Sequence, residues 1–354
     1  MSVKCKLILA ASLSFGPLSS AETLQFRTYV TPRSGETLGG PCIYQLTLPQ
    51  IDHPVRGVFV IFDRGWQIGN LYFDPAVFRF AARHQLGLLL PQQCPSKGNE
   101  DMDVVPENGI GRALITALDQ LGSASHHPEL SKSSLIYFGF SGAGSLAARM
   151  VEFAPERTIA TIEFAPGQGD PLGMDTVQLS EKARKVPQLI IANGADDHVG
   201  TARPYAYFEQ YRRLGAPMTF LIQNRTPHCC VANIVPLMLE WLSDVVQMRR
   251  PTSDGDPLQP INPSRGWTGR LVVENSGVTE ALWHAKTWNT SGAEIEDARR
   301  TSLSATGLEI PRAPTDAQVP STGSLVPSWL PSAEFAKTWL TFARQASHPI
   351  KPLE

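Results

Sequence analysis

The sequence predicts an α/β protein built on a mostly parallel sheet, and three features carry this prediction. Apolar runs alternate with segments of helical spacing from about residue 54 to residue 248. Two alternating, strand-like runs precede this region. The later apolar runs are continuous, as is typical of strands buried on both faces. Together these features indicate a sheet covered by helices on both sides.

Eight segments have the length and composition of strands. The first two alternate polar and apolar residues and predict antiparallel strands. The other six are continuous apolar runs bounded by turn residues. In chain order the eight read TLQFRTYV, CIYQLTLP, RGVFVIF, LGLLLPQQ, SLIYFGF, TIATIEFAP, PQLIIANG and MTFLIQN.

Helical spacing of apolar residues marks the segments between and after these strands. Proline and glycine punctuate their ends, as at Pro155. The helices read PAVFRFAARH, IGRALITALDQL, GSLAARMVEFAP, ARPYAYFEQYRRLG and VPLMLEWLSDVV. In such a sheet we expect the functional residues beyond the carboxyl ends of the strands.

The N-terminus has the pattern of a secretory signal peptide. Two lysines precede an apolar run from Leu7 to about Phe15, and the small residues Ser19 and Ala21 suit a cleavage site. The run is shorter than the roughly 18 residues of a membrane span, which disfavours an anchor. Residues 1–21 are therefore predicted to be removed on export to the periplasm or the medium.

The remaining chain divides by composition. Residues 22–248 contain the alternating elements and form the main predicted domain. Residues 249–264 are rich in Pro, Gly and polar residues and predict a linker or surface loop. Residues 265–354 have few apolar runs and end in the helical segment SAEFAKTWLTFAR. We expect this C-terminal extension to pack on the main domain.

Charge and cysteine content limit the ligand classes. The formal net charge is −2, which predicts neither a nucleic-acid nor an anionic-membrane partner. Removal of the signal peptide leaves Cys42, Cys94, Cys229 and Cys230, which allow three disulfide pairings. The sequence has no Cys-x-x-Cys or His-Glu-x-x-His spacing, so no metal site is predicted. No organic cofactor is predicted either, because the serine chemistry considered below needs none.

Ser141 stands in the stretch GFSGAG, between a predicted strand and a predicted helix. A sharp turn at this point exposes a serine hydroxyl and requires small residues two positions before and after it. Here these are Gly139 and Ala143, followed by Gly144. The backbone N–H of Gly142, at the start of the helix, suits stabilisation of an oxyanion.

A serine nucleophile needs a base and an orienting carboxylate. Asp196 and Asp197 follow the strand PQLIIANG, and His228 follows the strand MTFLIQN. All three lie just past the carboxyl ends of strands, where Ser141 also lies. Glu163, at the end of the sixth strand, is an alternative carboxylate.

Because the serine, the aspartates and the histidine follow one another in this order along the chain, residues 24 to 245 resemble an α/β-hydrolase. The resemblance implies an eight-stranded, mostly parallel sheet with helices on both faces. It favours Asp197 over Asp196 as the acid, because Asp197 completes Gly194-x-x-Asp, and it implies His228 as the base. It also implies a second oxyanion donor in FDRGWQIGN, where Trp66 N–H is our first choice, although Arg64-Gly65 replaces the His-Gly of many members.

In several short stretches the sequence is also similar to secreted polyhydroxybutyrate depolymerases and feruloyl esterases. The resemblance implies an exported serine hydrolase that cleaves carboxylic esters, small or polymeric, through an acyl-enzyme intermediate. A peptidase or other acyl hydrolase with the same triad is one alternative. A non-catalytic binding protein on a hydrolase scaffold is another, although such proteins usually lose a triad member.

Overall fold

A computed structural model of the chain describes residues 24–49, 54–62, 69–98, 102–167, 177–251, 256–280, 299–312, 326–345 and 351–352. The predicted signal peptide lies outside these residues. Eight strands form the main sheet: Leu24–Val30 (β1), Cys42–Leu48 (β2), Gly57–Phe62 (β3), Leu86–Gln93 (β4), Ser134–Phe140 (β5), Thr158–Phe164 (β6), Gln188–Asn193 (β7) and Met218–Gln223 (β8). The helices that accompany them are Gly69–Tyr72 (α1), Pro75–His84 (α2), Ile110–Ser125 (α3), Gly142–Phe153 (α4), Ala202–Arg213 (α5) and Val235–Arg249 (α6).

The strands are ordered β1-β2-β4-β3-β5-β6-β7-β8. β1 and β2 pair antiparallel, and β2 pairs antiparallel with β4. From β4 to β8 every neighbouring pair is parallel. The predicted mostly parallel, eight-stranded sheet is therefore confirmed, and all eight predicted strands form it.

Alternate residues of the central strands enter two different hydrophobic cores. Phe59 and Ile61 of β3 pack in the core that contains residues of α2 and α6. Val58 and Val60 pack in the core that contains residues of α3 and α4. Because every residue of β3 is buried, its sequence is apolar throughout. The helices therefore cover both faces of the sheet, as predicted.

Local sequence signals set the ends of α2. The Asp74 carboxylate accepts the backbone N–H groups of Ala76, at 2.6 Å, and of Val77. Pro75 occupies the first helical position, where its missing N–H costs nothing. The helix ends at Gln85, whose φ of 57° lies in the left-handed region.

The C-terminal residues form a second sheet from the strands Trp267–Glu280 (β9), Arg299–Arg312 (β10), Ser328–Leu330 (β11) and Lys351–Pro352 (β12). The strands are ordered β11-β9-β10-β12, and helix Ala333–Gln345 (α7) follows β11.

This C-terminal part contacts β8, the edge strand of the main sheet. The Thr219 hydroxyl donates to the Trp329 carbonyl, and the Phe220 N–H donates to the Ser328 hydroxyl at 3.0 Å. The Trp339 indole N–H donates to the Phe220 carbonyl at 3.3 Å. These contacts satisfy the N–H and the carbonyl of Phe220 in an edge strand, and unpaired groups of such a strand are otherwise free to pair with another chain.

Two disulfides are formed, one of the three pairings that the sequence allows. Cys42 of β2 is bonded to Cys94, directly after β4, and both are buried. Cys229 is bonded to its neighbour Cys230. Within the described residues, no helix has the length and apolar character needed to cross a membrane.

Candidate active site

Ser141 forms the turn between β5 and α4 and has an unusual backbone conformation. Its φ is 58° and its ψ is −127°, a region that non-glycine residues rarely occupy. Its N–H donates to the Phe164 carbonyl at 3.0 Å, and its carbonyl accepts the Gly144 N–H at 2.9 Å. Hydrogen bonds on both sides thus hold the strained serine at the carboxyl end of the sheet.

The small residues around Ser141 are explained by close backbone approach. A Cβ atom on Gly139 would overlap the carbonyl of Ala143, so position 139 requires glycine. A Cβ on Gly144 would lie 2.9 Å from the Cβ of Pro166. Ala143, the departure from the glycine usual at that position, is fully buried and is accommodated. The turn predicted from GFSGAG is therefore present.

His228 pairs with Asp196, across the loops that follow β8 and β7. The His228 Nδ1 and Asp196 Oδ2 atoms lie 2.7 Å apart. The carboxylate is fully buried, and the His228 side chain is 11% exposed. With Nδ1 bonded to the carboxylate, Nε2 is the ring nitrogen left for proton transfer.

The predicted pairing of Asp197 with His228 is wrong, and the turn after β7 gives the reason. Asp196 Oδ1 accepts the N–H groups of His198, at 2.9 Å, and Val199, at 3.0 Å. These two bonds fold the turn back over Asp196 and direct Oδ2 to His228. Asp197 bonds instead to His198, with Oδ1 2.7 Å from Nδ1.

The His228 ring lies between two other rings. Phe140, the residue before Ser141, stacks on it with centroids 4.7 Å apart. His198 stacks on it at 4.8 Å with an interplanar angle of 12°. The contact with Phe140 places His228 beside the turn that carries Ser141, and the two contacts together restrict the orientation of the imidazole.

Asn193, at the end of β7, holds the His228 loop and was not predicted from the sequence. Its Nδ2 donates to the Pro227 carbonyl at 2.7 Å and to the Cys229 carbonyl at 3.2 Å, on either side of the histidine. Its Oδ1 accepts the Gln223 side-chain amide at 2.9 Å. Asn193 is fully buried, so this amide cannot exchange its partners for water.

The remaining predicted residues have different outcomes. Gly142 begins α4, so its N–H has no acceptor within the helix and is available to a ligand. Trp66 lies outside the described residues. Glu163 is buried within β6, where burial raises its pKa well above the ordinary value, and the partner of His228 is Asp196 instead.

Asp196, Asp197 and His198 place three potential metal-ligand atoms within 4.8 Å of one another. Both oxygens of Asp196, however, accept hydrogen bonds, and Nδ1 of His198 pairs with Asp197. A cation here would have to compete with all of these bonds. We assign the cluster to hydrogen bonding.

Comparison with protein-family profiles gives no match, and comparison with curated proteins gives none either. Solved structures are similar in part. The fluorophosphonate-binding serine hydrolase F of Staphylococcus aureus is 10% identical with a TM-score of 0.43, over 63% of this chain and 98% of that one. An S-formylglutathione hydrolase from Agrobacterium tumefaciens is 15% identical with a TM-score of 0.43, over 65% and 96%. An esterase from Pyrococcus furiosus is 14% identical with a TM-score of 0.44, over 63% and 91%.

Similarities of this size carry no conclusion about activity, and the assignment of the fold rests on the sheet itself. Its strand order, its parallel central strands and the helices on both faces give the chain the α/β-hydrolase fold. A serine on the strained turn after β5 and a buried His–Asp pair occupy the same edge of this sheet.

Proposed function

We propose that this protein is a serine hydrolase of carboxylic esters, with Ser141, His228 and Asp196 as its catalytic triad. The observation that carries the proposal is the strained Ser141 turn, placed beside an imidazole that a buried carboxylate orients. Serine, histidine and aspartate with these relations form the recurring machinery of acyl transfer.

In the proposed reaction, Nε2 of His228 takes the proton of the Ser141 hydroxyl as its oxygen attacks the ester carbonyl. The imidazolium that forms is stabilised by the Asp196 carboxylate and then protonates the departing alcohol. Water, deprotonated by His228, then attacks the acyl-enzyme, and His228 returns that proton to the Ser141 oxygen as the carboxylic acid leaves. Since Asp196 is buried away from water, its charge acts on the imidazolium in a low-dielectric environment.

The oxyanion of the tetrahedral intermediate needs preorganised donors. The Gly142 N–H, directly after Ser141, supplies one of them and adds the positive end of the α4 dipole. We propose the Trp66 N–H as the second donor, on the resemblance stated above. A backbone donor does not depend on the side chain, which fits the absence of the usual His-Gly sequence in this loop.

The nucleophile is tested by Ser141→Ala beside a matched control, Ser145→Ala. Ser145 lies one helical turn further on, and its buried hydroxyl has no hydrogen-bond partner among the described residues, so its loss should leave the site intact. A fluorophosphonate probe should label the wild type and Ser145→Ala but not Ser141→Ala. Hydrolysis of p-nitrophenyl acetate and octanoate should fall by about 10⁴-fold or more in Ser141→Ala alone.

The probe separates two kinds of failure. If Ser141 is labelled but neither ester is hydrolysed, the triad stands and the bond cleaved is not a simple ester. If Ser141→Ala is labelled and hydrolyses esters as well as the wild type does, the proposed mechanism is wrong. The ratio of the two ester rates also gives the first measure of the acyl pocket. The similarity to polyhydroxybutyrate depolymerases and feruloyl esterases stays a prediction.

We also propose that the chain is exported. The leader pattern of residues 1–21 supports this, and so do two disulfides, since such bonds persist in oxidising compartments. Expression of the full chain, followed by cell fractionation and N-terminal sequencing, tests it. A mature protein beginning at Glu22 outside the cytoplasm is the expected result; an unprocessed chain retained in the cytoplasm would contradict it.

A further inference from the structure

A cavity of about 390 Å³ lies at the edge of the sheet opposite Ser141. It is lined by residues at the amino ends of the central strands, including Arg56 before β3, Leu86 in β4 and Ser134 in β5. Ser141 follows the other end of β5, seven residues and thus about 20 Å away. The cavity is therefore separate from the proposed active site, and its volume is within the usual range of small-molecule sites.

Positive charge predominates around the opening of this cavity. Arg56, Lys132 and Arg250 are exposed lining residues. The lining carboxylates are Glu129 and Asp256. Glu129 is already engaged, because it accepts the Val55 N–H at 2.9 Å and pairs with His127. The opening thus presents more cationic groups than carboxylates.

A fourth cation, Arg249, lies in the wall and is 6% exposed. Its guanidinium donates to the carbonyls of Gln259, at 3.1 Å, and Thr158, at 2.8 Å. Among the described residues, its buried Nε has no hydrogen-bond partner and no carboxylate pairs with its guanidinium. Burial lowers the pKa of Arg249 to about 10. A buried guanidinium without a counter-ion is costly, so an anion bound here would be favoured.

Aliphatic side chains form a large part of the remaining wall, which also contains Ser133 and Ser134. Val55, Leu86, Ile159 and Val246 are buried and line the cavity. His84 also lines the cavity, and its buried Nε2 has no hydrogen-bond partner in the part of the chain that the structure describes. Burial lowers the pKa of His84, and the charges of Arg250 and Arg83 lower it further. A ligand that matches this wall needs a hydrocarbon part as well as a negative charge.

We propose that this cavity is a binding site for a monocarboxylate with an apolar body, with its carboxylate facing the arginines and its hydrocarbon part against the buried aliphatic wall. Phosphate has the charge but not the hydrocarbon, and a neutral alcohol has the hydrocarbon but not the charge. The site stands independently of the proposed esterase activity, because none of its residues belongs to the triad.

The test is calorimetric titration of the full chain with sodium octanoate, beside 1-octanol and sodium phosphate. Octanoate should bind about tenfold or more tightly than either of the others, because only octanoate satisfies both parts of the wall. The double variant Arg56→Ser/Arg250→Ser removes exposed side chains and should weaken octanoate binding by about tenfold or more. The matched control Lys182→Ser/Lys185→Ser removes two exposed cations elsewhere and should leave binding unchanged.

The position of binding is read independently from the imidazole NMR signals of His84, assigned with His84→Gln. These signals should move as octanoate saturates the site, and in the arginine double variant the same movement should need about tenfold or more octanoate. The proposal is overturned if octanoate does not bind, if phosphate binds equally well, or if octanoate binds without moving the His84 signals. Equal weakening in the lysine control would also overturn it, since the effect would then be one of net charge.

Discussion

Two aspartate–histidine pairs lie side by side in this protein, and only one has the surroundings of a catalytic pair. Their imidazole rings are stacked 4.8 Å apart, and both pairs join Nδ1 to a carboxylate oxygen at 2.7 Å. The Asp196 and His228 side chains are 0% and 11% exposed, whereas those of Asp197 and His198 are 35% and 43% exposed. The same pair of side chains thus occurs in two different environments at one edge of the sheet.

The difference indicates that the pairing alone does not determine how strongly a carboxylate acts on its histidine. Burial of the carboxylate and its hydrogen bonds to backbone N–H groups matter as well. Asp196 is fixed by two backbone N–H groups and shielded from water, so its charge is felt by His228 with little screening. Water competes for Asp197, and an exposed pair of this kind contributes little. The comparison can be tested residue by residue.

The largest difference is expected between Asp196→Asn and Asp197→Asn. An amide at position 196 can keep the backbone bonds through its oxygen, but it presents N–H to His228 Nδ1 and favours the wrong tautomer. We expect kcat/KM for an active ester to fall by about 10⁴-fold. Asp197→Asn serves as the matched control and should stay within about twofold of wild type, because its pair is solvated.

Equal losses in the two aspartate variants would show that burial does not distinguish the pairs. A large loss in Asp197→Asn alone would restore the assignment that the sequence favoured. Both results are read from the same initial-rate measurements, and circular dichroism spectra of the variants show whether each protein is folded.

The second largest effect is expected at Asn193, which holds the loop that carries His228 of the buried pair. Asn193→Ala removes the donor that holds the carbonyls on both sides of His228. We expect kcat to fall by about 10²-fold with little change in KM, because the imidazole is misplaced while the ester pocket remains. Unfolding in urea should show a loss of about 1–3 kcal/mol from the unsatisfied groups left behind.

Thr226→Ala is the control for Asn193→Ala. Thr226 lies in the same loop, and its hydroxyl donates to the Asn224 carbonyl instead of holding His228. Its loss should leave kcat near the wild-type value. If both variants lose kcat equally, the loop is generally fragile and Asn193 has no special positioning role.

A smaller effect is expected from the contact between the two pairs. His198→Ala removes one of the rings that stack on His228, whereas His198→Phe keeps an aromatic ring but loses the bond to Asp197. Aromatic contacts of this kind are worth about 1 kcal/mol, so kcat should fall about fivefold in the alanine variant. The phenylalanine variant should recover most of this loss. If phenylalanine is as poor as alanine, stacking is not what His198 contributes.

Much of the fold could be predicted because its signals are local. Strands that are buried on both faces of the sheet are continuous apolar runs. In β3, for example, every residue is buried. The Ser141 turn was predictable for a similar reason, because close backbone approach permits only small residues around it. His228 followed from its place after a strand.

The choice between Asp196 and Asp197 was not predictable from spacing, since it depends on how the turn after β7 folds. The bonds from the His198 and Val199 N–H groups to Asp196 decide which carboxylate reaches His228. Sequence spacing does not reveal the side-chain directions of two adjacent loop residues. Asn193 was missed because its partners are 34 and 36 residues away. Its only sequence signal is an amide at the end of an otherwise apolar strand.

The bond between Cys42 and Cys94 has a consequence for how the protein should be produced. It closes a loop with a sequence separation of 52, which by chain entropy corresponds to about 4 kcal/mol of stability, whereas Cys229–Cys230 encloses no loop. Chain made in a reducing host cytoplasm would lack this constraint and unfold more readily before any assay began. Low yield or activity from such material would report the redox state of the host, not the quality of the active site.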